Sequence, residues 1–158
     1  LLNLKNLKKF FNKKNKKILI KKIEKGGDAF HDYISIENII KSNDINQKIF
    51  FKVDIEGSEY RILNDLIKFM DKIEGLTIEF HNVDINMDRV LDFINKFNLK
   101  LVHIHANNWS TQGLDDIPSS IELSFSKKPV LLNNNITFPH NLDQKNNPDA
   151  DEIKLVFS

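Results

Sequence analysis

The sequence predicts a single α/β domain built on a mostly parallel sheet, with one antiparallel strand near the C-terminal end. Short apolar runs begin at residues 49, 76 and 101, and amphipathic helix patterns separate them. A strand, helix, strand unit of this length forms a right-handed parallel crossover in nearly all proteins. The chain has 158 residues, of which 41% are hydrophobic and 28% charged, so one core of ordinary globular composition can form.

The composition excludes several classes of protein. The absence of cysteine excludes disulfides, thiolate nucleophiles and cysteine-bound metal clusters, and it suits a reducing cytoplasm, where we expect the protein to reside. No apolar run approaches the ~18 residues that a membrane span needs. Because the chain starts with Leu1, we also expect it to begin inside a longer reading frame.

Positive charge is concentrated at the start of the chain. Residues 1–25 contain 10 of the 23 basic residues and one of the 22 acidic residues. This segment could bind nucleic acid or an anionic membrane, but lysine also fills exposed positions that only have to be polar. Phe10 and Phe11 fit an apolar core stripe better than a platform for stacking bases, so we do not expect nucleic acid as a partner.

The predicted elements begin with a helix over residues 4–11 and a strand over 18–23. After a break at residues 26–28, residues 33–34 look extended, and Ser35 can cap a short helix. The apolar positions of that helix are Ile36, Ile39 and Ile40.

The βα units that follow are marked more clearly. Residues 49–55 form an apolar run typical of a strand buried on both faces of a sheet. Gly57 turns the chain, and Ser58 can accept backbone N–H groups at the start of a helix over 62–70. The remaining predicted elements are strand 76–80, a helix over 87–97, strands 101–105 and 121–126, a loop over 129–148 and an edge strand over 153–157. No helix separates strand 121–126 from strand 101–105, so the two should be antiparallel.

Polar residues stand in pairs where the three parallel strands end. The pairs are Asp54 and Glu56, Glu79 and His81, and His103 and His105. Side chains of a strand alternate between its faces, so both members of each pair point to the same side. Ligands of open α/β sheets bind at the carboxyl ends of strands. We therefore expect Asp54, His81 and His105 to meet at a common rim and to form a catalytic site.

Other interpretations stay open for several of these residues. His103 lies deepest in its strand and could be a hydrogen-bonded core histidine. Glu79 could form a structural ion pair with Lys52 on the neighbouring strand. The loop residues Asn107, Asn108 and Trp109 offer amide groups and a flat apolar surface to a polar ligand, or they form a plain turn.

The segment FKVDIEGSEYRIL, residues 51–63, resembles the KxDxEGxE-xxxL signature of the FkbM family of S-adenosylmethionine-dependent methyltransferases. Later segments resemble the family in the same order. They are TIEFH at 77–81, HIHANN at 103–108, IELSF at 121–125 and LDQKNNPDADEIKLVF at 142–157. The resemblance covers about residues 32–157.

The resemblance implies a Rossmann-like methyltransferase sheet whose strands four to six are residues 49–55, 76–80 and 101–105, with 121–126 as an antiparallel strand seven. It implies transfer of a methyl group from S-adenosylmethionine to a hydroxyl of a sugar or small biosynthetic intermediate. His81 and His105 are the candidate bases, since an imidazole can accept a proton at neutral pH. The groups that would orient the substrate are Glu56, Glu79, Asn107 and Asn108, together with Asp54. Alternatively Asp54, Glu56, His81 and His105 could ligate zinc, manganese or iron.

The chain departs from the family's pattern in one respect. Family members carry a glycine-rich loop after strand one and an acidic residue after strand two, and neither is found here. We therefore interpret residues 1–158 as a partial domain: a basic helix and strand (1–25), core βα units (26–128), and a C-terminal loop with an edge strand (129–158). We expect this segment alone to bind cofactor poorly and to be inactive. The alternative is a non-catalytic fragment that acts as a binding or interaction module.

Overall fold

The computed structural model describes residues 22–23, 33–42, 48–110, 113, 117–130 and 137–155. The predicted helix over 4–11, the break at 26–28 and most of the strand over 18–23 lie outside these residues. No helix of the described part of the chain is long and apolar enough to cross a bilayer.

The first described elements form a small pair of strands and a short helix. Strand β1 (Lys22–Ile23) pairs in parallel with β2 (Tyr33–Ile34), and α1 (Ile36–Ser42) follows. The Oγ atom of Ser35 accepts a hydrogen bond from the backbone N–H of Asn38 at 3.1 Å. This is the contact of an N-cap, so the predicted cap of α1 is confirmed.

The main sheet has four strands within the described residues, and its order corrects the sequence prediction. Its members are β3 (Ile49–Val53), β4 (Ile73–His81), β5 (Lys100–Ala106) and β6 (Ser120–Ser126), in the order β3-β4-β6-β5. Of the strand pairs described in this sheet, β3 and β4 are parallel, while β6 is antiparallel to both β4 and β5. The antiparallel return of β6 beside β5 is therefore confirmed, but the sheet is mixed rather than mostly parallel. None of the described residues between β5 and β6 is helical, and β6 folds back on β5 and occupies the place beside β4.

The helix predicted over residues 62–70 is shorter and interrupted. A 3₁₀ helix (Glu59–Arg61), α2 (Leu63–Lys68) and a second 3₁₀ helix (Met70–Lys72) stand in its place. The side chain of Ser58 makes no capping hydrogen bond, contrary to the sequence prediction. The helix predicted over 87–97 is α3 (Val83–Lys96), which begins earlier.

The two faces of the sheet differ in polarity. One face packs on the helices, and the fully buried side chains of this core include Ile78, Phe80, Leu66, Val90 and Phe93. Register places Lys52, Thr77 and Ser124 together on the other face, where the Thr77 and Ser124 hydroxyls lie 3.0 Å apart. Phe50 and Lys52 of β3 are exposed on this second face. The prediction that the strand over residues 49–55 is buried on both faces of the sheet is therefore wrong.

The C-terminal part of the described chain has no regular elements. Residues 137–148 form turns and irregular structure, in keeping with the predicted loop. Residues 153–155 are not in a strand, so the predicted edge strand is wrong in its described part. Hydrogen bonds from Asn108 fix this region instead, since its Nδ2 donates to the carbonyl oxygens of Asn147, Ala150 and Asp151.

Candidate functional site

A cavity of about 400 Å³ opens where β3 and β4 end. Three carboxylates and one imidazole line it, together with amide, hydroxyl and indole groups. The lining residues are Asp54, Glu56, Glu79, His81, Asn107, Trp109, Ser110, Ser120 and Asn146. None of the described residues in this lining is a lysine or arginine, so the cavity favours neutral polar or positively charged ligands.

A sharp turn after β3 brings two carboxylates to the cavity. Glu56 (φ 53°) and Gly57 (φ 91°) both lie in the left-handed region, which is uncommon for a residue with a side chain. Alternation along the chain places Ile55 against the core while Asp54 and Glu56 face the opening. One ligand atom each of Asp54, Glu56 and His81 lies within 4.8 Å of the others.

His81 is held from two sides by consecutive residues of the 3₁₀ helix Glu59–Arg61. Its Nδ1 lies 2.8 Å from Oε1 of the buried Glu59, and its backbone carbonyl accepts a 2.8 Å hydrogen bond from the hydroxyl of Tyr60. Burial and the nearby Glu59 charge raise the pKa of Tyr60 to about 12, so this hydroxyl remains a donor at neutral pH. The remaining ring nitrogen, Nε2, lies 3.5 Å from Glu56 Oε2 and 3.8 Å from Glu79 Oε1.

Glu79 is a buried carboxylate with its own set of donors. Its Oε1 accepts hydrogen bonds from Asn107 Nδ2 at 2.6 Å and from the Ser120 hydroxyl at 2.8 Å. Burial by itself raises the pKa of this carboxyl group, but the two hydrogen bonds and the charges of His81 and Lys52 outweigh burial and lower it. Lys52 pairs with Glu122 rather than with Glu79, so the predicted structural ion pair is not formed.

Asp54 differs from Glu79 in its electrostatics. Partial burial of its carboxyl group and the neighbouring Glu79 carboxylate raise the pKa of Asp54 above its ordinary value. Two carboxylates at one cavity thus have pKa values displaced in opposite directions. Such pairs are common where one group takes up a proton and another stays charged.

The structure separates the other predicted residues from this cavity. β6 lies between β4 and β5, so His105 faces Glu122 in register, and its Nε2 lies 3.3 Å from Glu152. His103 Nε2 lies 2.8 Å from Asp143 Oδ1. Asn107 lines the cavity, whereas the buried Asn108 binds the backbone of residues 147–151. The common rim therefore brings together Asp54 and His81, with Glu56, Glu79 and Asn107, but not His105.

Several residues of the site are not marked by the sequence patterns that predicted the others. They are Glu59, Tyr60, Ser110, Ser120 and Asn146. The sequence does contain a feature that could have identified Glu59 as a site residue. Glu59 is the last residue of the KxDxEGxE pattern, and it is the one acidic residue at the start of an otherwise apolar helix stripe. No local pattern marks Ser120 or Asn146, since only the sheet order and the C-terminal loop bring them to the cavity.

Replacing Glu79 by glutamine is expected to destabilise the protein at neutral pH and less in acid. The pKa of Glu79 is lowered from its ordinary 4.5, so the carboxylate contributes stability that is present above the unfolded pKa. That contribution is lost as the pH falls through the lowered folded pKa. Urea unfolding should show a deficit in the free energy of unfolding for Glu79→Gln at pH 7 that shrinks below about pH 4.

The matched control for this comparison is Glu56→Gln, which changes an exposed carboxylate of the same cavity. It should change the free energy of unfolding by no more than about 0.5 kcal/mol at pH 7. A deficit for Glu79→Gln that stays constant between the two pH values would contradict the role given to its charge.

A divalent cation is one ligand that this geometry can accept. Asp54, Glu56 and Nε2 of His81 provide two oxygen donors and one nitrogen donor, a set that suits zinc, manganese or iron. Glu59 would then orient the ligating histidine, as carboxylates commonly do next to metal-bound imidazoles.

Comparison of the chain with protein-family models, with curated proteins and with solved structures gave no match.

Proposed function

We propose that the protein to which this chain belongs transfers a methyl group from S-adenosylmethionine to a hydroxyl of a sugar or small biosynthetic intermediate. The observation that carries the proposal is the arrangement of His81. A buried carboxylate holds one ring nitrogen at 2.8 Å, and the other nitrogen faces a polar cavity. This is the arrangement of a general base.

The fold is compatible with this proposal. If the sheet is that of a Rossmann-like methyltransferase, β3, β4 and β5 correspond to strands four to six of that sheet, and the antiparallel β6 corresponds to strand seven. The FkbM-like segments 51–63, 77–81 and 103–108 supply most of the cavity lining, including Asp54, Glu56 and Asn107. The carboxylates also match the positive charge of a sulfonium ion.

The donor, when bound, supplies an electrophilic methyl group on a positively charged sulfur. The tasks left to the chain are to position the acceptor hydroxyl and to take its proton. Nε2 of His81 would accept that proton as the acceptor oxygen bonds to the methyl carbon and the carbon–sulfur electron pair passes to sulfur. Asp54, Glu56 and Asn107 would accept or donate hydrogen bonds to neighbouring hydroxyls of the acceptor.

The test is a measurement of S-adenosylhomocysteine formation by the full-length protein with a panel of sugars and small polyols. Product that depends on acceptor is expected, and no product above the acceptor-free control would contradict the proposal. The same assay with and without a chelator distinguishes a His81 that acts as the general base from a His81 that ligates a metal ion. Loss of activity that Mn²⁺ or Zn²⁺ restores would assign Nε2 to a metal, because a metal-bound nitrogen cannot accept the acceptor's proton.

A second candidate function is binding of a partner through the edge of the sheet. Within the described residues β3 pairs on one side only, with β4, and the side chain of Phe50 on this strand is 65% exposed. An unpaired strand edge beside an apolar ring is a site where another strand can add. Association of the purified chain that increases with concentration, together with absence of methyl transfer, would favour this function.

A further inference from the structure

We propose that Glu59 is a positioning residue that holds the imidazole of His81 in the Nδ1–H tautomer and so leaves Nε2 as an acceptor facing the cavity. Glu59 is fully buried and follows directly on the turn that carries Asp54 and Glu56. Burial of a carboxyl group is unfavourable unless hydrogen-bond donors compensate it. The donors that surround Glu59 therefore indicate what the residue does.

The contacts of one oxygen decide which way the hydrogen bond to His81 runs. Oε1 of Glu59 accepts the backbone N–H groups of Gly57 at 3.1 Å and Ile55 at 3.4 Å. A proton on this oxygen would point at those N–H groups, so Oε1 acts as an acceptor. The 2.8 Å contact to His81 therefore requires the proton on Nδ1. An imidazole without partners favours the Nε2–H form, so Glu59 reverses the usual preference.

The second oxygen shows why a carboxylate rather than an amide stands here. Oε2 of Glu59 is buried and has no hydrogen-bond partner among the described residues. A glutamine would satisfy the N–H of Gly57 without burying a charge, so the turn alone does not call for a glutamate. A carboxylate does bind an imidazole N–H more strongly than an amide oxygen binds it. The charge at this position is thus explained by His81.

The tautomer determines what Nε2 can do. With the proton on Nδ1, the Nε2 atom carries a lone pair, and the carboxylate oxygens of Glu56 and Glu79 lie farther from it than an ordinary hydrogen bond of about 2.7–3.2 Å. In the proposed methyl transfer this lone pair receives the acceptor's proton. That consequence rests on the proposed function, whereas the tautomer itself does not.

The experiment is long-range ¹H–¹⁵N NMR of the histidine rings in the full chain, without cofactor or acceptor, at about pH 8.5, where an unperturbed imidazole is neutral. His81 is assigned by the loss of its signals in His81→Asn. The wild-type chain should show the Nδ1–H pattern for His81. In Glu59→Gln the ratio of Nδ1–H to Nε2–H should fall about fivefold or more, because the amide is the weaker acceptor. In Glu59→Met, which offers no oxygen, Nε2–H should become the major form.

The control is Glu56→Gln, which removes the carboxylate charge near Nε2 and should not lower the ratio, because that charge favours a proton on Nε2 rather than on Nδ1. An Nε2–H pattern in the wild-type chain would overturn the proposal whether or not the variants fold. So would a Glu59→Gln chain that is less stable but keeps the wild-type ratio, since that result would make Glu59 purely structural. Because no turnover is measured, failure here is distinct from failure to detect methyl transfer.

Discussion

Replacing His81 by glutamine is expected to lower kcat for methyl transfer by the full-length protein about 10²- to 10⁴-fold, the usual contribution of a general base. Glutamine keeps the polarity and approximate size of the side chain but cannot accept a proton at neutral pH. KM for the acceptor should change much less, because Asp54, Glu56 and Asn107 still line the cavity. Steady-state rates of S-adenosylhomocysteine formation provide both constants.

The two histidines of β5, His103 and His105, provide the matched controls for His81→Gln. His105 has its Nε2 next to Glu152, and His103 has its Nε2 next to Asp143, so neither lines the cavity. We expect His105→Gln and His103→Gln to lower kcat less than tenfold. Near-normal turnover in His81→Gln, or a larger loss in His105→Gln, would remove His81 from the role of base.

Replacing Phe80 by alanine is expected to lower the free energy of unfolding by about 3–5 kcal/mol. Phe80 is fully buried, and its ring lies 5.6 Å from that of Tyr60 and 6.0 Å from that of Phe93 between centroids. Truncation would remove these contacts and leave a cavity that the rigid sheet cannot close. Since small domains are stable by about 5–15 kcal/mol, this change alone is a large fraction of the total.

Phe50→Ala is the control for this substitution, because it removes the same ring from an exposed position on β3. It should change the free energy of unfolding by about 0.5 kcal/mol or less. Urea unfolding followed by circular dichroism compares the two variants directly. Similar losses in both would mean that Phe80 does not belong to the core described above.

The local elements of the fold were predictable because their signals lie in neighbouring residues. The cap at Ser35 and the strands at 76–80 and 101–105 follow from short patterns, and the structure contains them. The order of the strands was not predictable in this way. No local pattern in the residues of β6 predicts that it lies beside β4, because the position of β6 in the sheet depends on pairing between distant segments of the chain.

The same distinction explains which part of the candidate site was found. Asp54 directly follows β3 and His81 ends β4, and these two strands are neighbours in the sheet, so the binding of ligands at strand ends places the two residues together. His105 ends a strand that runs in the same direction, but β6 separates it from β4. Glu59 was not given a role because its importance comes from a contact with His81, 22 positions away in the chain.

The lining of the cavity comes from two distant parts of the polypeptide, because Asn146 lines it together with Asp54, and the indole N–H of Trp109 donates to the carbonyl oxygen of Asn146 at 2.7 Å. During synthesis on the ribosome, the strand ends are therefore made long before the segment that completes their enclosure. A nascent chain that has folded only as far as β6 would lack the Asn146 side of this lining, and the cavity would be complete only once residue 146 had emerged.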